Sequence, residues 1–171
     1  MTESSGPPVL TQGGIANKQG RVLEDTVVSL FARHGFKEVR HSQWLRQGGK
    51  FGDEVLIRDA PYTSIYGHRA KTEFLAISRR LGRTIRIECK WQQSAGSVDE
   101  KFPYLYLNCV NAMPEDEIVI IVDGGGAKEL AVRWLKEAAE SGWLLQDKEG
   151  RKRISVMSLT EFITWANRVL R

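Results

Sequence analysis

The sequence predicts one α/β domain, a single-domain sandwich with a central mixed β-sheet flanked by helices. Three observations predict it. Segments of helical and of strand periodicity are interspersed along the 171 residues. Ile118, Val119, Ile120, Ile121 and Val122 form a continuous apolar run, the pattern of a central strand covered on both faces. Finally, Ile85 to Gln92 alternates strictly, with Ile85, Ile87, Cys89 and Trp91 on one side and Arg86, Glu88, Lys90 and Gln92 on the other. The length suits one domain with a sizeable core.

Each element has a local cause. Residues 1–16 are rich in Ser, Gly, Pro and Thr and read as a flexible leader, which leaves 17–171 as the domain. From Gly20, Leu23, Val27, Leu30, Phe31 and His34 recur at helical spacing, and Gly35 is placed to cap the helix. A short strand is expected near Val39 to Leu45. Arg46 to Thr72 holds Gly-Gly, Phe-Gly and Ala-Pro breaks and reads as a long, partly stranded excursion. Glu73 to Ile77 is a strand, Ser78 to Thr84 its connection, and Ile85 to Gln92 the next strand. Val98 to Val110 reads as a helix with Pro103 in its first turn. Glu117 to Val122 is the buried strand, and Gly124 to Gly126 a tight turn. An amphipathic helix follows, with Ala127, Leu130, Ala131, Trp134, Leu135 and Ala138 inward and Gly142 at its end. Trp134 and Trp165 are assigned to the core. Arg153 to Met157 is a last strand. Ser158 and Glu161 then have capping-box spacing, opening a helix that turns Leu159, Phe162, Ile163, Ala166 and Leu170 inward.

Composition narrows the function classes. No apolar run is long enough to span a bilayer, and the first residues lack the pattern of a signal peptide, so a cytoplasmic protein without membrane association is expected. Cys89 and Cys109 are too few for a disulfide scaffold or a zinc site and read as small buried hydrophobes. His34, His41 and His68 have no ligand spacing. The net charge is +4, and its placement suits a polyanion. Arg79, Arg80, Arg83 and Arg86 gather around the hairpin that ends at Lys90, while Lys148, Arg151, Lys152 and Arg153 form a second cluster that fits a solvated surface equally well.

Glu88 and Lys90 share one strand face, so a carboxylate for a hard cation and an ammonium for a phosphate stand side by side. An ordinary surface pair has the same spacing. Asp99, Glu100 and Lys101 show how weak the spacing alone is: they repeat the acid-x-lysine pattern at the start of a helix. Lys101 reads as a solvated lysine or a phosphate contact. Glu24 lies on the flank of the first helix's apolar stripe, where it either reaches over the sheet edge or favours the helix dipole. Asp25 points away. Glu73 immediately precedes an apolar strand joined by a short connection to Glu88, and Asp59 and Asp53 compete with it as a second acid.

Gly20 to Glu24 (GRVLE), Glu73 to Ala76 (EFLA) and Glu88 to Gln92 (ECKWQ) together resemble the motifs of the PD-(D/E)XK nuclease superfamily, with the run GSVDEKFPYLYLN similar to small stand-alone bacterial and phage members. The resemblance implies a restriction-endonuclease-like core and a Mg2+-dependent DNA endonuclease, with Mn2+ as a substitute, that leaves 5′-phosphate and 3′-hydroxyl ends. It implies metal ligation by Glu73, Glu88 and the Cys89 carbonyl, assistance from Lys90 and Glu24, and orientation of substrate or water by Gln92. Glu73 departs from the family's Asp, which keeps Asp59 open. Arg79, Arg80, Arg83, Arg86 and Lys101 are the candidate DNA contacts. The partner is DNA, double-stranded or branched, and a homodimer fits the family. A junction resolvase and a non-cleaving DNA-binding module are the alternatives.

Overall fold

The computed structural model describes residues 12–92, 98–145 and 152–171. The chain runs α1 (Gln12–Arg33), β1 (Lys37–Arg40), α2 (His41–Gln47), β2 (Glu54–Thr63), β3 (Arg69–Ser78), β4 (Arg83–Trp91), α3 (Val98–Asn111), β5 (Glu117–Asp123), α4 (Glu129–Glu140), β6 (Arg153–Met157) and α5 (Leu159–Val169). The six strands form one sheet in sequence order. β2, β3 and β4 are antiparallel neighbours, whereas β1 on β2, β5 on β4 and β6 on β5 are parallel. The predicted α/β sandwich on a mixed sheet is therefore the observed one. None of the described helices is long and apolar enough to cross a membrane.

Two apolar layers sandwich the sheet. Leu23, Val27, Leu30 and Phe31 of α1 and Phe162 and Ala166 of α5 pack with Phe74, Ile85, Ile87, Cys89, Val119 and Ile121. On the other face Phe102, Leu105 and Tyr106 of α3 and Leu135 of α4 pack with Ile118, Ile120 and Val122. β5 alternates between the two layers, which is why its sequence is apolar throughout. The capping box of α5 is present as predicted: Ser158 Oγ accepts from the Glu161 amide, and Glu161 accepts from the Ser158 amide.

Several elements depart from the sequence reading. α1 begins at Gln12, eight residues before Gly20 and inside the span read as a leader; residues 1–11 lie outside the described chain. The strand expected near Val39 to Leu45 ends at Arg40, and α2 occupies the rest. The Gln43 side chain accepts from the Arg40 amide and starts that helix locally. Pro103 sits in the second turn of α3 rather than the first. Trp134 is not a core residue; it is about one-third exposed and packs edge-on against Tyr106 and Trp143 at the rim. Leu130 is also exposed, because α4 turns Leu135, Ala138 and Ala139 inward instead. Trp165 is half-buried and stacks on Phe162. In the C-terminal basic cluster, the Lys152 ammonium donates to the carbonyls of Cys109 and Met113, neutralising the end of α3. Arg153 is exposed, and Lys148 and Arg151 lie outside the described residues.

The triple-glycine turn closes the end of β4. Gln92 donates its amide to Asp123 O at 2.9 Å, and Gly126 donates to Gln92 O at 2.7 Å. Gly124 takes a φ of +100°, and a Cβ there would lie 2.4 Å from Gln92 O. Both the dihedral and the approach require glycine. Gly124→Ala is expected to lower the unfolding free energy by about 1–3 kcal/mol, measured by chemical denaturation.

Candidate active site

β3 and β4 are hydrogen-bonded in register from Ser78 opposite Arg83 to Phe74 opposite Ile87. Both strands continue beyond that pair, but their ladder does not. The next positions are Glu73 and Glu88. At this parting a side chain replaces the missing backbone acceptor: the Cys89 amide donates to Glu73 Oε2 at 2.8 Å. Glu73 is thereby held in the opening between the strands.

Glu88 lies on the polar side of β4, yet it is only 6 % exposed. The Lys90 ammonium, two residues on and on the same side, makes a short contact with Glu88 Oε1. Glu88 Oε2 is buried and has no hydrogen-bond partner among the described residues. Burial, reinforced by the Glu73 carboxylate and opposed by Lys90, pushes the Glu88 carboxyl up to about 8. Burial disfavours the charge on Lys90, but Glu88 and Glu73 outweigh it and hold the ammonium above the ordinary lysine range. The site is therefore a buried carboxyl beside a second carboxylate, balanced by one cation.

Glu24 joins this group from α1. Leu23 and Val27 are buried, which turns Glu24 to the helix flank, half-buried, while Asp25 is exposed. Burial raises the Glu24 carboxyl, Arg58 opposes the shift, and Glu73 adds to it, so the acids of α1 and β3 feel one another. Sequence reasoning missed Arg58. Its Nη1 donates to Glu24 Oε2 at 2.7 Å and its Nε to Glu38 Oε1 at 2.6 Å, with the guanidinium 5.0 Å from the Phe74 ring centre. It also lines an open groove of about 450 Å³ with Glu38, Val39, Arg40 and Gln43. The only available signal was a cation beside Ile57, inside a segment read as irregular.

The competing acids stand apart. Asp59 has a φ of +59°, drops out of the ladder between β2 and β3, and pairs with Lys71 at 2.5 Å in an exposed position. Asp53 pairs with Arg79 at 3.2 Å at the far end of the sheet. Gln92 is half-buried just past β4, its backbone locked by the glycine turn. Asp99 accepts from the Lys128 amide and Lys101 is exposed, so the second acid-x-lysine pattern forms the first turns of α3.

The basic hairpin does not face the acids. Arg83 is five residues from Glu88, about 16 Å along the strand. It makes a two-pronged pair with Glu117, joining the starts of β4 and β5. The Arg80 amide bonds Glu54, and its guanidinium donates to Leu170 O. Arg86 contradicts its assignment as a DNA contact most directly. It is 2 % exposed, and it forks onto Glu115 at 2.5 and 2.7 Å. It also donates to Ala60 O and Thr72 Oγ1 and lies against the Tyr62 ring. Strand alternation reveals the polar face but not that α3 and the chain leading to β5 cover part of it.

The donor set suits a hard cation. Among the described residues no three His, Cys, Asp or Glu side chains form a ready-made ion cage. Magnesium needs only one or two carboxylates and keeps waters and substrate oxygens for the rest. The unpartnered, buried Glu88 Oε2 beside Glu73 provides such a minimal set. The Cys89 thiol packs in the α1–α5 core, and burial raises its pKa strongly, so this residue offers a carbonyl and not a thiolate. His34 bonds Asn167.

A mixed sheet whose central hairpin parts around two glutamates and a lysine defines the class of α/β proteins to which nuclease cores belong. The chain is a member of the PD-(D/E)XK nuclease superfamily: that superfamily's domain model matches residues 15–170. No curated protein and no solved structure matches the chain. Family membership supports nuclease activity and a nucleic-acid substrate.

Two predictions concern this framework. Glu115→Ala leaves the buried Arg86 charge without its carboxylate and is expected to cost about 3–5 kcal/mol in denaturant unfolding. Glu88 binds its proton more tightly when folded than at its ordinary 4.5, so the folded state is penalised increasingly as pH rises from about 4.5 through about 8. In metal-free buffer Glu88→Gln is therefore expected to melt higher than wild type at pH 8, with the difference vanishing near pH 4. Lys90 stays charged throughout that window.

Proposed function

We propose that the chain is a Mg2+-dependent DNA endonuclease that hydrolyses phosphodiester bonds and leaves 5′-phosphate and 3′-hydroxyl ends. The observation that carries this reading is the buried Glu88 with an unpartnered oxygen, beside Glu73 and within contact of Lys90. Glu73 and Glu88 would hold the cation, with the Cys89 carbonyl as a further ligand. When bound, the ion supplies charge neutralisation at the attacking and leaving oxygens and a more acidic water.

The chain's own residues account for the remainder. Where the ladder of β3 and β4 ends, a phosphate would approach the two carboxylates from the side of the partly exposed Glu73. Lys90 would turn its ammonium from Glu88 to a phosphate oxygen or the attacking water. Glu24, held by Arg58, would accept a hydrogen bond from a water near Glu73. Gln92, past the end of the strand, orients substrate or water.

Plasmid nicking tests the assignment. Wild type should nick with magnesium and not with EDTA. Glu73→Ala, Glu88→Ala and Lys90→Ala should each lose at least about 100-fold while retaining their circular dichroism. Asp59→Ala should remain within a few-fold of wild type. Full activity in Lys90→Ala rules out the assigned role of that lysine. An active Glu73→Ala with an inactive Asp59→Ala transfers the second ligand to β2. Salt-sensitive DNA binding with no nicking under any metal identifies a non-cleaving module. Four-way and linear DNA in the same assay separate a junction resolvase from a general endonuclease.

A further inference from the structure

β2 and β3 are joined by a tight turn whose tip carries an unusual surface. Gly67 donates to Ser64 O at 2.8 Å, Ser64 donates to His68 O at 2.9 Å, and the His68 amide donates to Ser64 Oγ. The turn is also fastened to α3. The Ile65 amide donates to Oδ1 of the buried Asn108 at 3.0 Å, and Asn108 Nδ2 in turn donates to Tyr104 O at 2.7 Å. On this braced tip the Tyr66 ring stacks on Tyr104, centroids 5.1 Å apart and planes 28° apart, yet Tyr66 remains 68 % exposed. One face of the ring is backed by Tyr104, the His68 ring stands edge-on 6.4 Å away, and most of the side chain is exposed.

Cations flank the tip, although Lys71 is paired with Asp59. Residues 61–72 contain no Asp or Glu and include His68, Arg69 and Lys71. Lys101, exposed on α3, lies one helical turn before Tyr104 and on the same side of the helix. The tip shares β3 with Glu73. Arg69 is four residues from Glu73 on β3, about 13 Å along the strand.

Resting on the nucleic-acid substrate of the preceding section, we infer that Tyr66, backed by Tyr104, is a stacking platform for an unpaired base, with Arg69 and Lys101 beside the adjoining phosphates. The substrate class is then a nucleic acid with a single-stranded, frayed or branched segment next to the cleaved bond. Bases within a continuous duplex have both faces covered by their neighbours, whereas an unpaired base offers a face to an aromatic ring irrespective of sequence.

Fluorescence of 2-aminopurine in a short single-stranded oligonucleotide, titrated in EDTA, reads this contact without cleavage. Wild type should quench the probe. Tyr66→Ala should bind the strand about tenfold more weakly and lose the quench, while Tyr66→Trp retains both. Affinity for a blunt duplex of the same sequence should change less than about twofold in either variant. Undiminished quenching in Tyr66→Ala, or an equal loss on duplex and single strand, overturns the platform. The titration is independent of nicking: a protein that nicks but whose quench ignores Tyr66 lacks the platform alone. One that never nicks but quenches through Tyr66 lacks the nuclease activity alone.

Discussion

The parting of β3 from β4, sealed by the hydrogen bond from the Cys89 amide to Glu73, is the constraint on which the rest of the site depends. A continued ladder would have paired Glu73 and Glu88 as neighbours on an ordinary sheet, with no opening between them. Instead the backbone amide of one strand is satisfied by the side chain of the other. That exchange meets the requirement that buried polar groups be paired, and it fixes a carboxylate where the sheet opens. Glu88 then becomes an acid with restricted access to water, its carboxyl held above the ordinary range by burial and by the Glu73 carboxylate.

Such a site needs a stiff surrounding. Arg86 supplies much of it, since one guanidinium ties β4 to β2, to β3 and to Glu115 ahead of β5. A buried ion pair of this kind adds little net stability compared with apolar packing, but it penalises alternative registers, because any slip leaves a charge unpaired. On the opposite side of the acids, Arg58 holds Glu24 against the same hairpin. Of the cations that looked like a DNA-binding patch in one dimension, Arg86 is buried and Arg83 is tied to Glu117, whereas Arg79, Arg80 and Lys101 stay exposed.

Much of the fold is legible because hydrophobic periodicity reports burial directly. The stripe of α1, the continuous run of β5 and the capping box of α5 each have a local physical cause, and each stands as read. Failures fall where local signals are weak or where neighbours decide. Val39 to Leu45 mixes apolar and polar residues without a clear period, and α2 begins because Gln43 reaches back to Arg40. Trp134 has helical spacing with Leu130 and Leu135, but helix α4 is only partly covered, so the rim tryptophan stays at the surface.

The sequence by itself determined the layered α/β architecture, the two faces of the Glu88 strand, and the pairing of Glu88 with Lys90, because alternation and amphipathicity are properties of a chain acting on itself and on water. It could not decide which second acid meets Glu88. Glu73 and Asp59 lie on adjacent strands, and their separation rests on a hydrogen bond to Cys89 in one case and a positive φ with an exposed lysine in the other. Nor could it show that Arg86 is buried or that Arg58 holds Glu24. Those outcomes depend on residues far apart in the chain meeting across the sheet, where desolvation and geometry, not spacing, set the partners.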